Sequence, residues 1–507
     1  MNGRAARWVR AAMALGLLVV PACGISPASD SRASSTVVVD IVNYPATLDP
    51  ARQYDTDSYT VYRNIFDQLL HRDSKTNKIV PWLATSWSQV NATTWRFAIR
   101  DDAAFSDGTP LRAEDAAFSL NRILDKKFAS EQFANFSAVA SARAEGNSLI
   151  IVTKKPSPTL LSYLTTLSVV PKEYVQRVGA EKFNTAPIGS GPYSLKSASA
   201  GSQIVLTANK DWWGPKPDVR TAIFRSVPNI ASRVADLQAR KADMITGLTP
   251  DAADQVTRDP NLDVQSTPTE RVAYVAFNTI NGGAVNDKRV RKAVALSINY
   301  DALIKNLQRG KAEPVNGVLT PLATGYPKAL PDNEYDPDRA RKLLDEAGAD
   351  GATIVMATSP SFNPQIVQAI QANLADIGLK VEIQNSDQPT YLKKVQSPDH
   401  DWGAMRFGRW SCSCLDADGV VYPLFRSGTI WSSYRNPQFD RIVDGARDQL
   451  DPAVRDKSYE QAFRILSEDV PGIGLFQDYA IYGTTDRIGW QPDAQEQFFV
   501  ADIKVRP

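Results

Sequence analysis

Histidine is nearly absent from the 507-residue sequence, which has only His71 and His400. The chain also lacks a G-x-S-x-G nucleophile motif, an H-E-x-x-H metal motif and a phosphate-binding P-loop. Acid pairs such as Asp101 and Asp102 are common on surfaces, and spacing alone does not make them a catalytic couple. The sequence therefore predicts that the protein is not an enzyme, with a secreted hydrolase as the alternative from another class.

Neither sign of charge predominates, since 57 Lys and Arg residues are matched by 56 Asp and Glu residues and the formal net charge is +1. Such a balance produces no overall field that would attract a polyanion, so we expect no nucleic-acid partner. Two histidines and five methionines offer few imidazole or soft ligands. We therefore predict no metal site and no cofactor.

The apolar run nearest the N-terminus covers only residues 11–20. As a helix it would rise about 15 Å, roughly half of a bilayer core, which argues against a permanent membrane span. Three arginines precede the run, and Ala22 and Cys23 follow it in the pattern of a signal peptide with a lipidation site. We predict a signal peptide over residues 1–22, lipidation of Cys23, and a lipidated N-terminus and linker over residues 23–36. The expected location is the outer face of the cytoplasmic membrane, with the periplasm after plain secretion as the alternative.

Only two cysteines follow Cys23, and Cys412 and Cys414 are separated by a single residue. In an oxidising compartment this spacing is compatible with a close disulfide and equally with two small, partly buried thiols. A metal site would need more ligands than these two sulfurs. The sequence leaves the disulfide and the free thiols open.

The length of the chain exceeds the size at which a single hydrophobic core stops growing, so we expect two or three domains. Apolar runs typical of buried strands, as at residues 37–42 and 272–278, alternate with helical periodicity, as at residues 58–70, 230–240 and 365–374. This alternation predicts an α/β fold of mixed α+β character, with mixed sheets flanked by helices.

The most specific stretch of the sequence is residues 95–120, WRFAIRDDAAFSDGTPLRAEDAAFSL, which reads as a strand, a turn and a helix. Further segments follow a characteristic order: NYPATLDP (43–50), NIFDQL (64–69), PWLATSW (81–87), VPKEY (170–174), PIGSGPY (187–193), NKDWW (209–213), FNT (277–279), VRKA (290–293) and YDPDRARKLLDEAG (335–348). In these segments the chain resembles the peptide-type family of bacterial extracellular solute-binding proteins, the oligopeptide-, dipeptide- and nickel-binding lipoproteins of ABC importers. The resemblance covers nearly the whole mature chain.

The resemblance implies a periplasmic-binding-protein-like fold of two lobes and three domains. Domain I would comprise residues 37–56, 186–270 and 475–507, domain II residues 57–185, and domain III residues 271–474. It also implies a monomer that captures extracellular peptides or peptide-like solutes in a cleft between the lobes and delivers them to the membrane permease of an ABC transporter. The alternatives within the same fold are an oligosaccharide, an opine-like conjugate, a metal chelate or haem.

The segment most closely tied to ligand binding begins at Trp410 and reads WSCSCLDADGVVYPLF. In the resembled family a loop after such a tryptophan enters the cleft, and an aspartate three residues later holds the α-ammonium of a peptide. Here that position is Ser413, which stabilises a buried ammonium less than a carboxylate does, by roughly 1 to 2 kcal/mol. Three explanations remain open: Asp416 or Asp418 supplies the charge, the ligand has a blocked or absent amine, or the register slips around the cysteines.

Five further residues are predicted to contact the ligand. Arg406 and Arg409 flank the loop and have the fork geometry that clamps a carboxylate, with solvated surface charges as the alternative. Trp431 and Tyr434 are close enough in sequence to form an aromatic pocket with it, and the alternative is that they pack in the core. The resemblance adds Tyr54, in the segment where first-domain residues approach the cleft.

Overall fold

The computed structural model describes residues 35–53, 55–327 and 330–506. The predicted signal peptide, Cys23 and Tyr54 therefore lie outside the described residues. Within the described ranges, no helix has both the length and the apolar character that crossing a bilayer requires.

The strands are numbered in chain order. The first ten are β1 (Thr36–Ile41), β2 (Leu70–Arg72), β3 (Ile79–Pro81), β4 (Ala84–Asn91), β5 (Thr94–Ile99), β6 (Val139–Glu145), β7 (Ser148–Thr153), β8 (Tyr193–Ser199), β9 (Gln203–Ala208) and β10 (Thr221–Ser226). The others are β11 (Met244–Ile245), β12 (Leu262–Phe277), β13 (Ala312–Glu313), β14 (Thr353–Thr358), β15 (Lys380–Asn385), β16 (Met405–Trp410), β17 (Gly472–Thr485), β18 (Ile488–Gly489) and β19 (Lys504–Val505).

The helices alternate with these strands along the chain. They are α1 (Thr56–Tyr62), α2 (Ala113–Leu124), α3 (Phe133–Phe136), α4 (Leu160–Leu164), α5 (Lys172–Thr185), α6 (Ile230–Gln238), α7 (Pro250–Val256), α8 (Lys288–Ser297), α9 (Tyr300–Ala302), α10 (Pro337–Ala347), α11 (Pro364–Asp376), α12 (Gln388–Val395), α13 (Asp418–Phe425), α14 (Pro437–Asp448) and α15 (Pro452–Asp469). Short 3₁₀ turns occur at Gly283–Asn286 and Val500–Asp502, and a π-helical turn at Leu303–Leu307. The predicted mixed α/β class is confirmed.

One large mixed sheet contains most of the strands, in the order β15-β14-β16-β12-β17-β11-β1-β10-β9-β8, with β13 paired to β17. A separate antiparallel sheet has the order β4-β5-β7-β6. The segment WRFAIR forms β5 in this smaller sheet, and Trp87 and Trp95 pack against its core as partly buried side chains.

Strands β12 and β17, of 16 and 14 residues, are the longest and pair with each other in antiparallel orientation. Near one end Val264 and Ile481 belong to a core that also includes α6 and α7. Near the other end Val275 and Ile473 belong to a core built with α8 and α11. The pair therefore connects hydrophobic cores on both sides of the molecule.

The helix predicted from the periodicity of residues 58–70 is shorter in the structure, because α1 ends at Tyr62. The backbone beyond it pairs with distant segments instead of continuing the helix. The Asn64 carbonyl accepts a hydrogen bond from the Tyr193 amide at 3.0 Å, and the Ile65 carbonyl accepts one from the Gly191 amide at 2.9 Å. Tertiary hydrogen bonds therefore override the helical periodicity at this point.

The segments that carry the family resemblance meet each other in the folded chain. The Asp67 carboxylate accepts hydrogen bonds from the indole nitrogens of Trp82 at 2.9 Å and Trp213 at 3.0 Å. The Asp115 carboxylate accepts hydrogen bonds from the backbone amides of Arg112 and Lys172, both at 2.9 Å. These contacts tie the segments to one another, so their side chains build the scaffold.

Candidate functional site

A cavity of about 620 Å³ lies where parts of the chain that are far apart in sequence come together. It is lined by residues along α1 and at its two ends, by α3, α4 and β12, by the segment between Trp410 and Trp431, and by Arg447 and Gln495. Its volume falls in the range of ordinary small-molecule sites. We call it the cleft cavity.

The structure brings together four of the predicted ligand-binding residues. Trp410, Ser413, Asp418 and Trp431 line the cleft cavity. Arg406 and Arg409 line a smaller adjoining cavity of about 310 Å³, and Trp410 and Trp431 are shared by the two cavities. Asp416 and Tyr434 line neither of them.

Trp410 occupies the last position of β16, where it pairs with Val272 of β12. Its indole nitrogen donates a hydrogen bond to the Gly419 carbonyl at 2.9 Å, and its ring meets that of Trp431 edge to face at 5.2 Å. The loop that follows therefore starts beside β12 with its first side chain fixed in orientation.

A disulfide links Cys412 and Cys414 in this loop. The sequence had left open whether these cysteines form a disulfide or remain two thiols, and the structure has the disulfide. The two sulfurs lie directly against Gly419, where an added Cβ would be 2.1 Å and 2.4 Å from them. The first turn of α13 therefore accommodates the disulfide only because residue 419 has no side chain.

Asp416 does not line either cavity, because Arg455 holds it in the interior. The two terminal guanidinium nitrogens of Arg455 donate to the Asp416 carboxylate at 2.7 and 2.5 Å. Both side chains are buried. The carboxylate of Asp416 is consequently matched with an internal cation and faces away from the cleft.

Asp418 lines the cleft cavity and forms an ion pair with Arg447 at 3.0 Å. Burial raises the pKa of Asp418 to about 6, and the guanidinium of Arg447 partly opposes that rise. Arg447 also covers a face of Tyr422, with the guanidinium carbon 3.9 Å from the ring centroid. Asp418 therefore contributes a carboxylate that already has a counter-ion.

Arg406, Arg409 and Tyr434 are each engaged with other side chains. Arg406 is buried and donates to the Tyr274 hydroxyl at 2.7 Å, while Arg409 pairs with Asp478 at 2.5 Å. Tyr434 donates its hydroxyl proton to the carboxylate of Asp469. The predicted aromatic pair of Trp431 and Tyr434 is therefore split, with Trp431 at the cavity and Tyr434 in the core behind it.

Helix α1 contributes a row of polar side chains that the sequence did not single out. Asp55, Tyr59 and Arg63 recur every fourth residue and line the cleft cavity together. Asp55 caps the helix by accepting a hydrogen bond from the Ser58 amide at 2.9 Å. Arg63 lies over the ring of Tyr59 at 4.3 Å.

Strand β12 contributes Glu270 and Arg271, which the sequence also did not single out. They lie in an irregularity of the ladder: Pro268 is opposite Tyr479, whereas Val272 is opposite Gln477. Residues 269–271 of β12 thus lie opposite the single residue Asp478 of β17. Irregularities of this kind re-aim side chains next to binding sites, and no local sequence signal marks this one because its partner strand is about 200 residues away.

The irregularity is fixed by buried hydrogen bonds. The Thr269 hydroxyl donates to the Asp478 carbonyl at 2.9 Å, and the Gln477 side chain donates to the Thr269 carbonyl at 2.6 Å. Arg271 then pairs with Glu496 at 2.7 Å. The positions of Glu270 and Arg271 are therefore determined by the sheet and its neighbours.

A third cavity of about 650 Å³ adjoins the cleft cavity, and Tyr163, Asp418 and Tyr422 line both. Contacts cross this region: the Gln495 side chain donates to the Ser413 carbonyl at 2.6 Å, and Lys155 pairs with Asp448 at 3.0 Å. The two cavities therefore share part of one wall. Among residues 35–53, 55–327 and 330–506, no group of three or more His, Cys, Asp and Glu side chains is arranged to hold a metal ion.

Residues 78–432 match the family model described as bacterial extracellular solute-binding proteins, family 5 Middle. The chain belongs to this family. It is 28% identical to the peptide transport periplasmic protein SapA of Salmonella typhimurium, over 82% of each chain. It is 26% identical to the dipeptide-binding protein of Escherichia coli, over 85% of this chain and 86% of the other.

Among solved structures, this chain is similar to the ABC transporter-associated periplasmic binding protein DppA of Helicobacter pylori in complex with the peptide STSA. The TM-score is 0.78 at 25% identity, over 93% of this chain and 98% of the other. The predicted two-lobed fold of periplasmic binding proteins is thereby confirmed, together with the predicted family. Members of this family are substrate-binding proteins of transport systems.

Proposed function

We propose that this protein captures peptides or peptide-like solutes in the cleft cavity and delivers them to the transmembrane permease of an ABC importer. The observation that carries the proposal is a cavity of about 620 Å³ enclosed by α1, β12 and the loop after Trp410. Likeness to SapA, to the dipeptide-binding protein and to the STSA complex of DppA supports a peptide as the ligand.

The aromatic side chains of the cavity favour a peptide over an oligosaccharide. Sugars are held by flat, open ring faces, whereas Arg447 covers a face of Tyr422 and Trp410 meets Trp431 edge to face. The adjoining cavity of about 650 Å³, which shares wall residues with the cleft cavity, provides room for peptide side chains of different sizes. Such roomy, partly hydrated pockets permit many peptide sequences to bind.

The proposed transport step is a closure of the two lobes around the ligand. A ligand favours closure only if it contacts both sides of the cleft in the closed form and fewer groups in the open form. Tyr163 on one side and Trp410 on the other are placed to contact the same ligand. The closed form would then dock on the permease, and catalysis of a reaction has no part in this scheme.

We further propose the three-domain division predicted from the sequence, with domain II over residues 57–185 and domain III over residues 271–474. Three separate cores support a division into three parts: Phe97 and Leu120 share one, Val39 and Phe224 a second, and Val421 and Phe463 a third. The ends of the predicted domain II differ, because residues 59–66 and 170–183 contribute to the core of Val39 and Phe224. In this scheme the protein acts as a monomer, because the cleft is completed by residues of a single chain.

The cell envelope is the proposed location, with lipid attached to Cys23 and residues 1–22 removed. The periplasmic relatives and the N-terminal sequence pattern support this location. Metabolic labelling with a fatty-acid analogue tests the anchor. The label should be incorporated into wild type and not into Cys23→Ser, which should be released from the membrane fraction.

Native mass spectrometry of protein purified without denaturation tests the peptide ligand. Peptide binding predicts satellite peaks whose mass differences fragment into amino-acid ladders, and refolded protein should regain them from a peptide digest. Satellite masses with the fragmentation of a sugar, an opine or haem would contradict the proposal. Protein that binds no component of a peptide digest would also contradict it.

A further inference from the structure

The charges that line the cleft cavity are mostly compensated by protein groups. Asp418 is paired with Arg447 at 3.0 Å, and Arg271 is paired with Glu496 at 2.7 Å. Glu270 differs from these residues. It lines the same cavity as a half-buried residue, and no described residue donates a hydrogen bond to its buried Oε2 atom or forms an ion pair with its carboxylate.

A buried carboxylate oxygen without a partner is unfavourable, so folded proteins seldom retain one without a reason. In Glu270 the arrangement is imposed by the fold, since the residue lies in the irregularity of β12 that Thr269 and Gln477 hold in place. The main chain is fixed as well, because the Glu270 amide donates to the Ala494 carbonyl at 3.1 Å. The sheet therefore presents an uncompensated acid at a binding cavity.

The other acids near the Trp410 loop are engaged elsewhere. Ser413 has no carboxylate, and Asp416 is held in the interior by Arg455. Asp418 already has Arg447 as its counter-ion. Asp55 and Asp418 each also have a buried oxygen without a donor. Asp55, however, accepts a hydrogen bond from the Ser58 amide, so among the described acids that line the cavity Glu270 is the one with neither a hydrogen bond to its carboxylate nor an ion pair.

We propose that Glu270 is the acceptor for a positively charged amino group of the ligand, so that the cleft selects peptides or peptide-like solutes with a free primary amine. This inference rests on the proposed function and specifies the ligand class. A charge-assisted hydrogen bond from the ammonium satisfies the carboxylate, and the ammonium gains the partner that Ser413 does not supply. The fixed main chain of the irregularity holds the acid in place before the ligand arrives.

Binding of the amine is coupled to loss of a proton from Glu270. Burial raises the pKa of Glu270 to about 8, while Arg271 opposes the rise and Glu496 adds to it. Arg72 also lowers the pKa of Glu270, and Asp493 also raises it. The other charged groups that line the cavity are Asp55, Arg63, Asp418 and Arg447. Below pH 8 the free protein therefore carries a neutral carboxyl. The arriving ammonium favours the carboxylate, and the released proton passes to the solvent.

Isothermal titration calorimetry with two pools of mixed-sequence tetrapeptides tests the inference, one pool with free N-termini and one N-acetylated and free of lysine. Wild type should prefer the free pool by at least about tenfold, and Glu270→Gln should lose that preference while it still binds the acetylated pool. Asp236→Asn is the matched control, because it removes a paired carboxylate, bound to Arg225 at 2.9 Å, that does not line the cleft cavity or the smaller adjoining cavity. It should retain the preference.

The number of protons exchanged supplies a readout that a merely structural role would not change. At pH 6.5, titrations in buffers of different ionisation enthalpy should show close to one proton released per free-amine peptide bound by wild type. They should show about none for Glu270→Gln. The affinity of wild type should increase from pH 6 to pH 7.5.

Equal preference in wild type and Glu270→Gln would overturn the inference and leave the proposed function intact. Loss of the preference in a further variant, Asp418→Asn, but not in Glu270→Gln would overturn it too, in favour of Asp418 as the acceptor. Failure of wild type to bind either pool would overturn the proposed function itself, and the inference with it.

Discussion

The Asp416 carboxylate is held by both terminal nitrogens of Arg455, at 2.7 and 2.5 Å. Arg455 also donates to the Tyr459 hydroxyl at 3.1 Å, one turn further along α15. The loop after Trp410 is thereby tied to α15, and its first acidic position serves the loop and not the ligand. Asp416 is therefore a structural residue of the segment, whereas Asp418 lines the cavity.

Asp416→Asn should destabilise the protein strongly and leave the affinity for peptide unchanged in the folded fraction. Removing one member of a buried ion pair leaves an uncompensated charge and costs about 3 to 5 kcal/mol. Unfolding in urea measures the loss. Asp444→Asn is the control, because its pair with Arg426 at 3.2 Å is partly exposed and contributes about 1 kcal/mol or less. A variant that keeps its stability and loses peptide binding would instead assign Asp416 to the ligand site.

Gly419→Ala should lower the free energy of unfolding by about 1 to 3 kcal/mol, because the new methyl group would collide with both sulfurs of the disulfide. Gly445→Ala is a matched control in α14, where an added Cβ meets no atom within 4 Å. That change should be neutral or stabilising by up to about 1 kcal/mol, because alanine is the better helix former. Thermal unfolding of both variants checks the difference. Equal effects at the two positions would show that the disulfide does not lie against Gly419.

The pH dependence of stability should contain a contribution from Asp67. Burial raises its pKa from 3.8 to about 6, although the hydrogen bonds from Trp213 and Trp82 oppose the rise. The fold therefore favours the protonated form, and this contribution is complete below pH 3.8 and lost as the pH rises through 6. The expected decrease is up to about 3 kcal/mol.

Urea unfolding of wild type and Asp67→Asn at several values between pH 4 and pH 7 measures this decrease. The variant should be less stable at low pH, since its amide nitrogen cannot accept a hydrogen bond from an indole. Its stability should also fall less steeply with rising pH than that of wild type. Parallel curves for the two proteins would contradict the assigned rise in the pKa of Asp67.

Lys155 and Asp448 form an ion pair at 3.0 Å across the cleft in this structure, which therefore represents a closed arrangement at this point. We expect the free protein in solution to open here, and ligand to bring residues 155 and 448 back to the short distance. Nitroxide labels on Lys155→Cys and Asp448→Cys, measured by pulsed electron resonance, should show a shift to shorter distances by more than about 2 Å when the free-amine tetrapeptide pool is added. A label pair on Glu114→Cys and Lys155→Cys, both in predicted domain II, is the control and should not respond. An unchanged distance across the cleft would contradict closure by the ligand.

The sequence was a good guide to the parts of the fold that depend on local patterns. Strand β5, helix α2 and the turn between them lie where the residue pattern predicts, because alternation, the Asp-Gly turn and helix periodicity are local signals. The motif segments predicted the family and its fold, and Asp67, Trp82 and Trp213 show their structural role: residues from three segments form hydrogen bonds with one another in the interior.

The site was less accessible to prediction because its geometry depends on pairing between distant residues. The loop after Trp410 was found from its sequence, and Trp410, Ser413, Asp418 and Trp431 do line the cleft cavity. The burial of Asp416 depends on Arg455, which lies 39 residues away. Glu270 could not be found by this route, because its orientation follows from a mismatch between β12 and β17 that no local pattern marks.

The mismatch between β12 and β17 also suggests how ligand binding is coupled to movement of the lobes. If the lobes rotate about the two long strands, the regular pairing of those strands is interrupted where Glu270 and Arg271 are located, and side-chain hydrogen bonds of Thr269 and Gln477 hold the backbone there. A ligand that contacts these side chains would act directly on the backbone of the hinge. Ligand binding and lobe movement would then depend on the same segment of β12, and no series of intermediate residues would be needed to transmit the occupied state to the surface that docks on the permease.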